Sequence, residues 1–181
     1  MTAATVSARG RDIIFRGQSL RSALISLSKQ AEGEFPGAVA GYTLVDPTGT
    51  FINEAVFPSL PPVFERSVVS IPVAAHAGTC VEAMRTGTAV ISNDILGDIR
   101  FDPGWRDLCL RCGIKSIQSI PIREIAGATE GTFVLGYREQ WHDARWDTEL
   151  MQTFAGLASE AITLYRTLSV GPAGRPQQPE A

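Results

Sequence analysis

Residues 113–138, GIKSIQSIPIREIAGATEGTFVLGYR, decide the fold of this 181-residue chain. Two apolar, β-branched runs, Lys115–Glu124 and Thr132–Arg138, flank a short segment that contains Gly127. Runs of this length on either side of a glycine-containing connection are typical of two paired strands. Because strands that follow each other through a tight turn run antiparallel, the segment predicts an antiparallel hairpin.

A second hairpin is predicted nearer the N-terminus. Its strands are expected at Ala38–Val45 and Thr50–Phe57. In the turn between them, Pro47 fixes its own φ and Gly49 accepts a positive φ. Two shorter strands are expected at Val68–Val73 and Thr88–Ile91.

Helices are predicted before, between and after these strands. Ser19 is suited to cap the first, in which apolar residues recur at helical spacing as far as Ala31. A short helix is expected at Trp105–Cys112, and Asp147 is suited to cap a long last helix. Pairing through tight turns, without long crossover helices, favours an α+β fold with an antiparallel sheet over a parallel one.

One more helix start is marked by the tetrapeptide Thr79-Cys80-Val81-Glu82. A threonine followed three residues later by glutamate is the pattern of a capping box, so we expect Thr79 to cap a helix that Gly87 ends. Cys80 would then be the first helical residue. Free amides and the helix dipole at that position favour a thiolate.

The amino-acid composition limits the possible domain organisation, binding partners and location of the protein. With 44% apolar residues the chain can form a core, and we expect one domain at 18–169 between an N-terminal tail, 1–17, and a disordered C-terminal tail, 170–181. Sixteen basic and nineteen acidic residues are scattered, which argues against nucleic-acid binding. No apolar run is long enough to cross a bilayer and no secretory signal is evident, so we expect a cytoplasmic protein with reduced cysteines.

Three segments together resemble a known family. They are GTCVEAMRTGTAVISNDI with DIRF (78–95 and 98–101), GIKSIQSIPI (113–122) and EGTFVLGY (130–137), and their order and spacing resemble those of a GAF domain. The resemblance implies a six-stranded antiparallel sheet with terminal helices on one face and a small-molecule pocket with short helices on the other. GAF domains are sensory or regulatory modules that bind cyclic nucleotides, haem, bilins, amino acids or other metabolites, or that dimerise.

The resemblance leaves the ligand open. The signature of the cyclic-nucleotide binders and the Cys-His pair of the bilin binders are absent, so no cofactor is assigned. Residues 93–112 correspond to the lid over the pocket, in which Phe101 and Trp105 either stack on a planar or apolar ligand or anchor the lid. The candidate ligand-binding residues are Cys80, Asp94, Phe101, Trp105, Cys109 and Ser119.

The cysteines allow an enzymatic alternative. The resemblance extends to free methionine-(R)-sulfoxide reductases, which are single GAF domains, and in this alternative Cys109 is the nucleophile that Cys80 or Cys112 resolves. A zinc site at the Cys109–Cys112 pair would need two further ligands, and the chain has only two histidines, so no metal is expected. The simpler interpretation is that these cysteines pack as small apolar residues.

The terminal helices suggest how a signal leaves the domain. Apolar residues of the last helix, with those of the first, form a stripe that we expect either to build an intersubunit bundle in a homodimer or to be buried within one chain. They are Leu150, Met151, Phe154, Leu157, Ala158, Ala161, Ile162 and Tyr165, with Leu20, Leu24 and Leu27. Because the chain ends soon afterwards, a separate output protein is expected.

The sequence therefore predicts a non-catalytic sensory module that binds an unidentified small molecule. The alternatives are the thiol-dependent reductase and a structural dimerisation module without a ligand.

Overall fold

The computed structural model describes residues 2–75, 77–140 and 147–169. The strands in this part are β1 (Ala38–Val45), β2 (Ile52–Val56), β3 (Val90–Ser92), β4 (Ser116–Arg123) and β5 (Thr129–Tyr137). The helices are α1 (Ala3–Arg16), α2 (Leu20–Glu34), α3 (Pro62–Val68), α4 (Thr79–Thr86), α5 (Pro103–Arg111) and α6 (Thr148–Ser169). The expected C-terminal tail, 170–181, lies outside the described residues.

The strands form one antiparallel sheet in the order β2-β1-β5-β4-β3. Both predicted hairpins are present, but the described part of the chain has five strands rather than six. The strand expected at Val68–Val73 is missing because α3 extends to Val68 and Ser70 adopts a left-handed φ of 73°. Of that segment a bridge between Phe51 and Pro72 remains, with backbone hydrogen bonds from Ile52 N to Ile71 O, from Ser70 N to Ile52 O and from Val73 N to Thr50 O.

Two helices, α2 and α6, cover one face of the sheet, which we call the helix face, and α1 packs on these two helices. Aromatic rings form the centre of the core there: Phe133 lies 5.1 Å from Tyr42 and 5.5 Å from Phe154, between ring centroids. All three side chains are fully buried. The predicted caps are confirmed: Ser19 Oγ accepts from Ser22 N, and Asp147 Oδ1 accepts from Leu150 N.

The structure differs from the expected N-terminal tail, because residues 3–16 form α1. Val6, Gly10 and Ile14, four residues apart, are buried on one side of this helix. Gly10 lies so close to Leu157 that a side chain there would overlap it. The hydroxyl of Tyr165 in α6 lies 3.1 and 2.7 Å from the carbonyl oxygens of Ile14 and Gly17 and donates to them.

The wide apolar stripe of α6 is buried by several neighbours: Leu157 lies against Gly10 of α1, and Phe154 packs against Phe133 of the sheet. Met151, Phe154, Leu157, Ala158, Ala161 and Ile162 are all buried within a single chain, as are Leu24 and Leu27 of α2. Of the two interpretations of the stripe, burial within one chain is therefore the one observed. The homodimer stays a prediction.

The other face of the sheet, which we call the lid face, is covered by α3, α4, α5 and their connections. Each of these helices has nine residues or fewer. Gly87 ends α4 in the left-handed conformation, with a φ of 64°, as the sequence predicts. Asp102 caps α5 by accepting from the amides of Gly104 and Trp105.

Side chains close both edges of the sheet. At the β2 edge, Arg21 donates to the carbonyl oxygen of Ala55 at 3.0 Å, and Glu65 accepts from the amide of Phe57 at 2.7 Å. At the β3 edge, Arg100 donates to the carbonyl oxygen of Ile91 at 2.7 Å. Among the described residues, no helix is long and apolar enough to span a bilayer.

Candidate functional site

The candidate site lies between the lid face of the sheet and the short helices. An apolar cluster fills this layer, which we call the lid-face cluster. Its members include Phe57, Phe64, Trp105, Leu108, Ile117 and Val134. Several of them, such as Cys80 and Trp105, keep a few per cent of exposed surface, whereas the aromatic residues at the centre of the helix face keep none.

A group of hydroxyls lies within this apolar layer, at the centre of the sheet. Ser119 Oγ of β4 donates to Thr79 Oγ1 at 2.9 Å, and Thr43 and Thr132 of the neighbouring strands share a hydrogen bond of 2.7 Å. All four residues are fully buried. Buried polar groups are costly unless they are paired, and these four hydroxyls meet that requirement by pairing with one another.

The thiol of Cys80 faces the same hydroxyl group. Ser119 Oγ also lies 3.6 Å from Cys80 Sγ, and the other three hydroxyls interact with the thiol as well. Burial raises the pKa of Cys80, and these hydrogen bonds offset only part of that effect. Burial of Cys80 therefore opposes the thiolate that a helix start favours, in line with the simpler interpretation that this cysteine packs as a small apolar residue.

The start of α4 differs from the predicted capping box. Gly78, with a φ of 127°, occupies the cap position and Thr79 is the first helical residue. The hydroxyl of Thr79 is engaged by Ser119, and Glu82 pairs with Arg85 instead of returning to the helix start. No described side chain caps the helix, so its first-turn amides have no side-chain acceptor.

Trp105 covers this helix start. Its indole ring lies against Gly78, where a side chain would overlap the ring atoms. Phe101 packs beside it, with 5.1 Å between ring centroids, and the Arg100 guanidinium lies 5.0 Å from the Phe101 centroid. Of the two aromatic residues proposed from the sequence, Trp105 thus covers the helix start and Phe101 packs beside it. In this conformation they anchor the lid to the core.

The other cysteines also belong to the lid-face cluster. Cys109 and Cys112 are buried free thiols, as is Cys80. Burial holds the pKa of Cys109 well above its usual range, and the neighbouring Cys80 raises it further. Among the described residues, no group of histidine, cysteine and carboxylate side chains is arranged to hold a metal ion.

The structure brings together five of the six candidate ligand residues and leaves Asp94 apart. Asp94 accepts from Gln140 Nε2 at 2.7 Å and from Leu96 N at 3.1 Å. It lines a separate exposed cleft of about 460 Å³ together with Leu110 and Lys115. Its carboxylate is therefore satisfied outside the lid-face cluster.

The sequence analysis did not identify four residues of the site: Thr43, Gly78, Thr79 and Thr132. Thr79 was predicted only as a helix cap. Each threonine is a polar residue at a position where its strand or helix is otherwise buried. That signal exists in the sequence, but its use requires the strand register. Thr43 pairs with Thr132, and only this pairing places them side by side.

A five-stranded antiparallel sheet with terminal helices on one face and short helices on the other is an α+β domain architecture, and the comparisons with known proteins identify its family. The GAF domain family model matches residues 19–162, so the chain belongs to the GAF domain family. The methyl sulfide methyltransferase-associated sensor of Methanosarcina acetivorans is 30% identical over 149 residues, which are 82% of this chain. This chain spans only 15% of the length of that protein.

Solved structures share the fold at low sequence identity. The GAF domain from a phosphoenolpyruvate-protein phosphotransferase of Coxiella burnetii has a TM-score of 0.71 at 14% identity, over 92% of this chain and 96% of that one. The free methionine-R-sulfoxide reductase of Neisseria meningitidis, in complex with its substrate, has a TM-score of 0.67 at 15% identity, over 92% and 91%.

Proposed function

We propose that this GAF domain is a non-catalytic sensory module that binds a small molecule between the sheet and the lid, residues 93–112. One observation carries the proposal: buried hydroxyls and an uncapped helix start lie together under a tryptophan inside an apolar layer. An apolar enclosure with a few convergent polar groups is the usual composition of a small-molecule site.

The relatives support a sensory role. The curated relative is named as a sensor, and its similarity covers most of this chain. The thiols support a non-catalytic role, because burial keeps Cys80 and Cys109 protonated, and a protonated thiol is a poor nucleophile. Binding is therefore favoured over thiol chemistry.

A connection from this site to the terminal helices follows β5. Thr132 belongs to the hydroxyl group, and two residues earlier the pairing of β5 with β4 shifts between Ile122 and Arg123. Glu130 lies in this irregularity, is almost fully buried, and forms an ion pair with Arg166 of α6. Ser159 of α6 also donates to the carbonyl oxygen of Arg123 at 2.9 Å. A shift of β5 would therefore move α6.

Such a shift would be a signal only if the ligand binds one arrangement of these contacts more tightly than another. We propose that α6 then presents the altered arrangement to a separate output protein. Phe15 of α1 and Leu168 of α6 are 75% and 64% exposed and offer apolar contacts for that protein or for a second copy of the chain.

The binding proposal is tested by native mass spectrometry of the purified protein, followed by denaturation. We expect added mass that is lost on denaturation. Ser119→Val should lower the occupancy several-fold, since it removes the hydroxyl that joins Thr79 to Cys80. Ser116→Ala is the matched control, because Ser116 lies on the other face of β4 and donates to the carbonyl oxygen of Glu139.

Coupling is tested on the same samples by hydrogen exchange. Removal of the bound molecule should change exchange in α6, and Arg166→Gln should reduce that change. If no bound mass is found, and exchange in α6 is the same for protein purified in several ways, the sensory proposal fails. The chain would then be a structural dimerisation module. Such a module should sediment as a dimer whether or not a metabolite is added.

The reductase alternative has one observation in its favour, which is that Cys80 and Cys109 belong to the same buried cluster. It predicts thioredoxin-linked NADPH consumption with free methionine (R)-sulfoxide, abolished by Cys109→Ser. Turnover by the unmodified protein would replace the non-catalytic proposal, and its absence would dismiss the enzyme.

A further inference from the structure

We infer that the side chain of Gln118 gives the first turn of α6 two arrangements: the one in this structure, and one in which this turn hydrogen-bonds to the Gln118 amide. Gln118 is then a positioning residue for α6. The inference goes beyond the proposed function, because it concerns the sheet and α6 alone and does not require a bound ligand.

Gln118 lies on the helix face of β4. Ile120, two residues later on this strand, belongs to the core of the helix face, whereas Ile117 belongs to the lid-face cluster. In the sheet register Gln118 lies opposite Leu135 of β5 on one side and Ile91 of β3 on the other. Since cross-strand partners present their side chains on the same face, the amide of Gln118 lies between two aliphatic side chains.

The Gln118 amide is fully buried and unpaired. The residue has no exposed surface, and neither Oε1 nor Nε2 has a hydrogen-bond partner in the part of the chain that the structure describes. Ser116, the preceding residue on the same face of β4, already donates to the carbonyl oxygen of Glu139. A primary amide offers two donors and one acceptor, and burying them unpaired costs free energy that an apolar side chain would not cost.

Two contacts place the beginning of α6 above Gln118. Phe154 of α6 stacks on the aromatic ring of β5 that lies opposite Ile120, and Ser159 donates to the carbonyl oxygen of Arg123. α6 therefore runs in the same direction as β4. Gln118 precedes Ile120 by about 7 Å along the strand, which corresponds to about four to five residues of helix. Counting back from Phe154 by this length reaches the first turn of α6.

This first turn carries the groups that the Gln118 amide lacks. Asp147 caps the helix: its Oδ1 accepts from Leu150 N, and its carbonyl oxygen accepts from Met151 N. The amides of the first two helical residues have no acceptor within the helix. A rotation of this turn towards the sheet would give Gln118 Oε1 an amide donor and Gln118 Nε2 a carboxylate acceptor.

The two arrangements exchange apolar packing for hydrogen bonding. In this structure Met151 and Phe154 are fully buried while the amide is unpaired, and in the other arrangement the amide is paired at the expense of part of that packing. The two contributions are of similar size, so neither arrangement excludes the other. Ser119, the residue after Gln118, bonds to Thr79 on the lid face, so β4 connects this element directly to the candidate site.

The first test measures the cost of the unpaired amide in the full chain. Gln118→Met keeps the length of the side chain and removes its polar atoms, so the melting temperature should rise by about 3–8 °C. Ser116→Ala is the matched control on the same face of the same strand; its hydroxyl is paired, so its removal should lower the melting temperature. A melting temperature that falls or stays unchanged in both Gln118→Met and Gln118→Leu would overturn the inference.

The second test observes the two arrangements directly. Amide nitrogen relaxation dispersion of the unmodified protein should show microsecond-to-millisecond exchange in the first turn of α6. Gln118→Met should abolish this exchange, because no amide is left to pair, whereas Ser116→Ala should leave it in place. A side chain that only fills space would not produce such exchange.

The outcomes separate this inference from the sensory proposal. If the first turn of α6 shows no exchange, or if the exchange persists in Gln118→Met, the inference is overturned whether or not native mass spectrometry finds a bound molecule. If the exchange behaves as expected and no bound molecule is found, the inference holds and only the proposed function fails.

Discussion

On one face of the sheet lie helices of 14, 15 and 22 residues, and on the other lie helices of 7, 8 and 9. The long helices bury a continuous core of aromatic and aliphatic side chains, in which Phe133 and Phe154 have no exposed surface. The short helices cover a layer with hydroxyls at its centre and a glycine under a tryptophan. From this comparison we expect the helix face to supply most of the stability and the lid face to rearrange more easily.

The largest expected effect is on the helix face. Phe133→Ala removes a ring that packs between Tyr42 and Phe154 and leaves a cavity that long helices cannot easily close. The free energy of unfolding should fall by about 3–5 kcal/mol. Urea denaturation followed by circular dichroism measures it, and a loss below about 1.5 kcal/mol would contradict a rigid helix face.

The matched change on the lid face should cost less. Trp105→Ala removes a larger side chain, but its surroundings are a nine-residue helix and the neighbouring Phe101, which are able to close over the space. We expect less than half of the Phe133→Ala loss in the same urea titration. If the two variants lose the same free energy of unfolding, the lid face does not rearrange more easily than the helix face.

A smaller effect is expected where α1 joins the helix face. Tyr165→Phe removes the hydroxyl that donates to the carbonyl oxygens of Ile14 and Gly17. The loss should be about 1 kcal/mol, with faster amide exchange at the end of α1 and little change in the sheet. Exchange that rises uniformly along the chain would show that α1 is not a separate unit on this face.

The smallest effect is expected in a turn that belongs to neither face. Thr48 Oγ1 and the amides of Phe51, Thr48 and Thr50 donate to the Asp46 carboxylate and lower its pKa to about 2. Because the pKa is lowered in the folded state, the contribution of Asp46 is complete above about pH 4 and is lost as the pH falls towards 2. Stability of Asp46→Asn should therefore approach that of the unmodified protein over this interval, as thermal melts at each pH would show.

The sequence predicts correctly those strands and helix ends that are determined by residues close to them along the chain. Strand β1 matches its prediction in full, because turn residues flank a continuous apolar run. Asp147 caps the start of α6 with its carboxylate, and Gly87 ends α4 in the left-handed conformation, as the sequence predicts. In each case the residues that determine the conformation are within a few positions of it.

The errors have long-range causes. The capping box at Thr79 failed because its hydroxyl bonds to Ser119, forty residues away, a contact that no local pattern contains. Helix α1 was missed because its buried side chains are few, although Val6, Gly10 and Ile14 recur at a spacing of four. The site itself required the pairing of Thr43 with Thr132, which belongs to the sheet register rather than to either strand.

The closure of both sheet edges limits how this protein associates. At one edge the side chains of Arg21 and Glu65 occupy backbone positions that an added strand would need, and at the other Arg100 does the same. An incoming chain would have to displace charged groups to extend the sheet. These three side chains thus protect the fold against strand-by-strand polymerisation, and they direct any assembly of copies towards the surfaces of its helices.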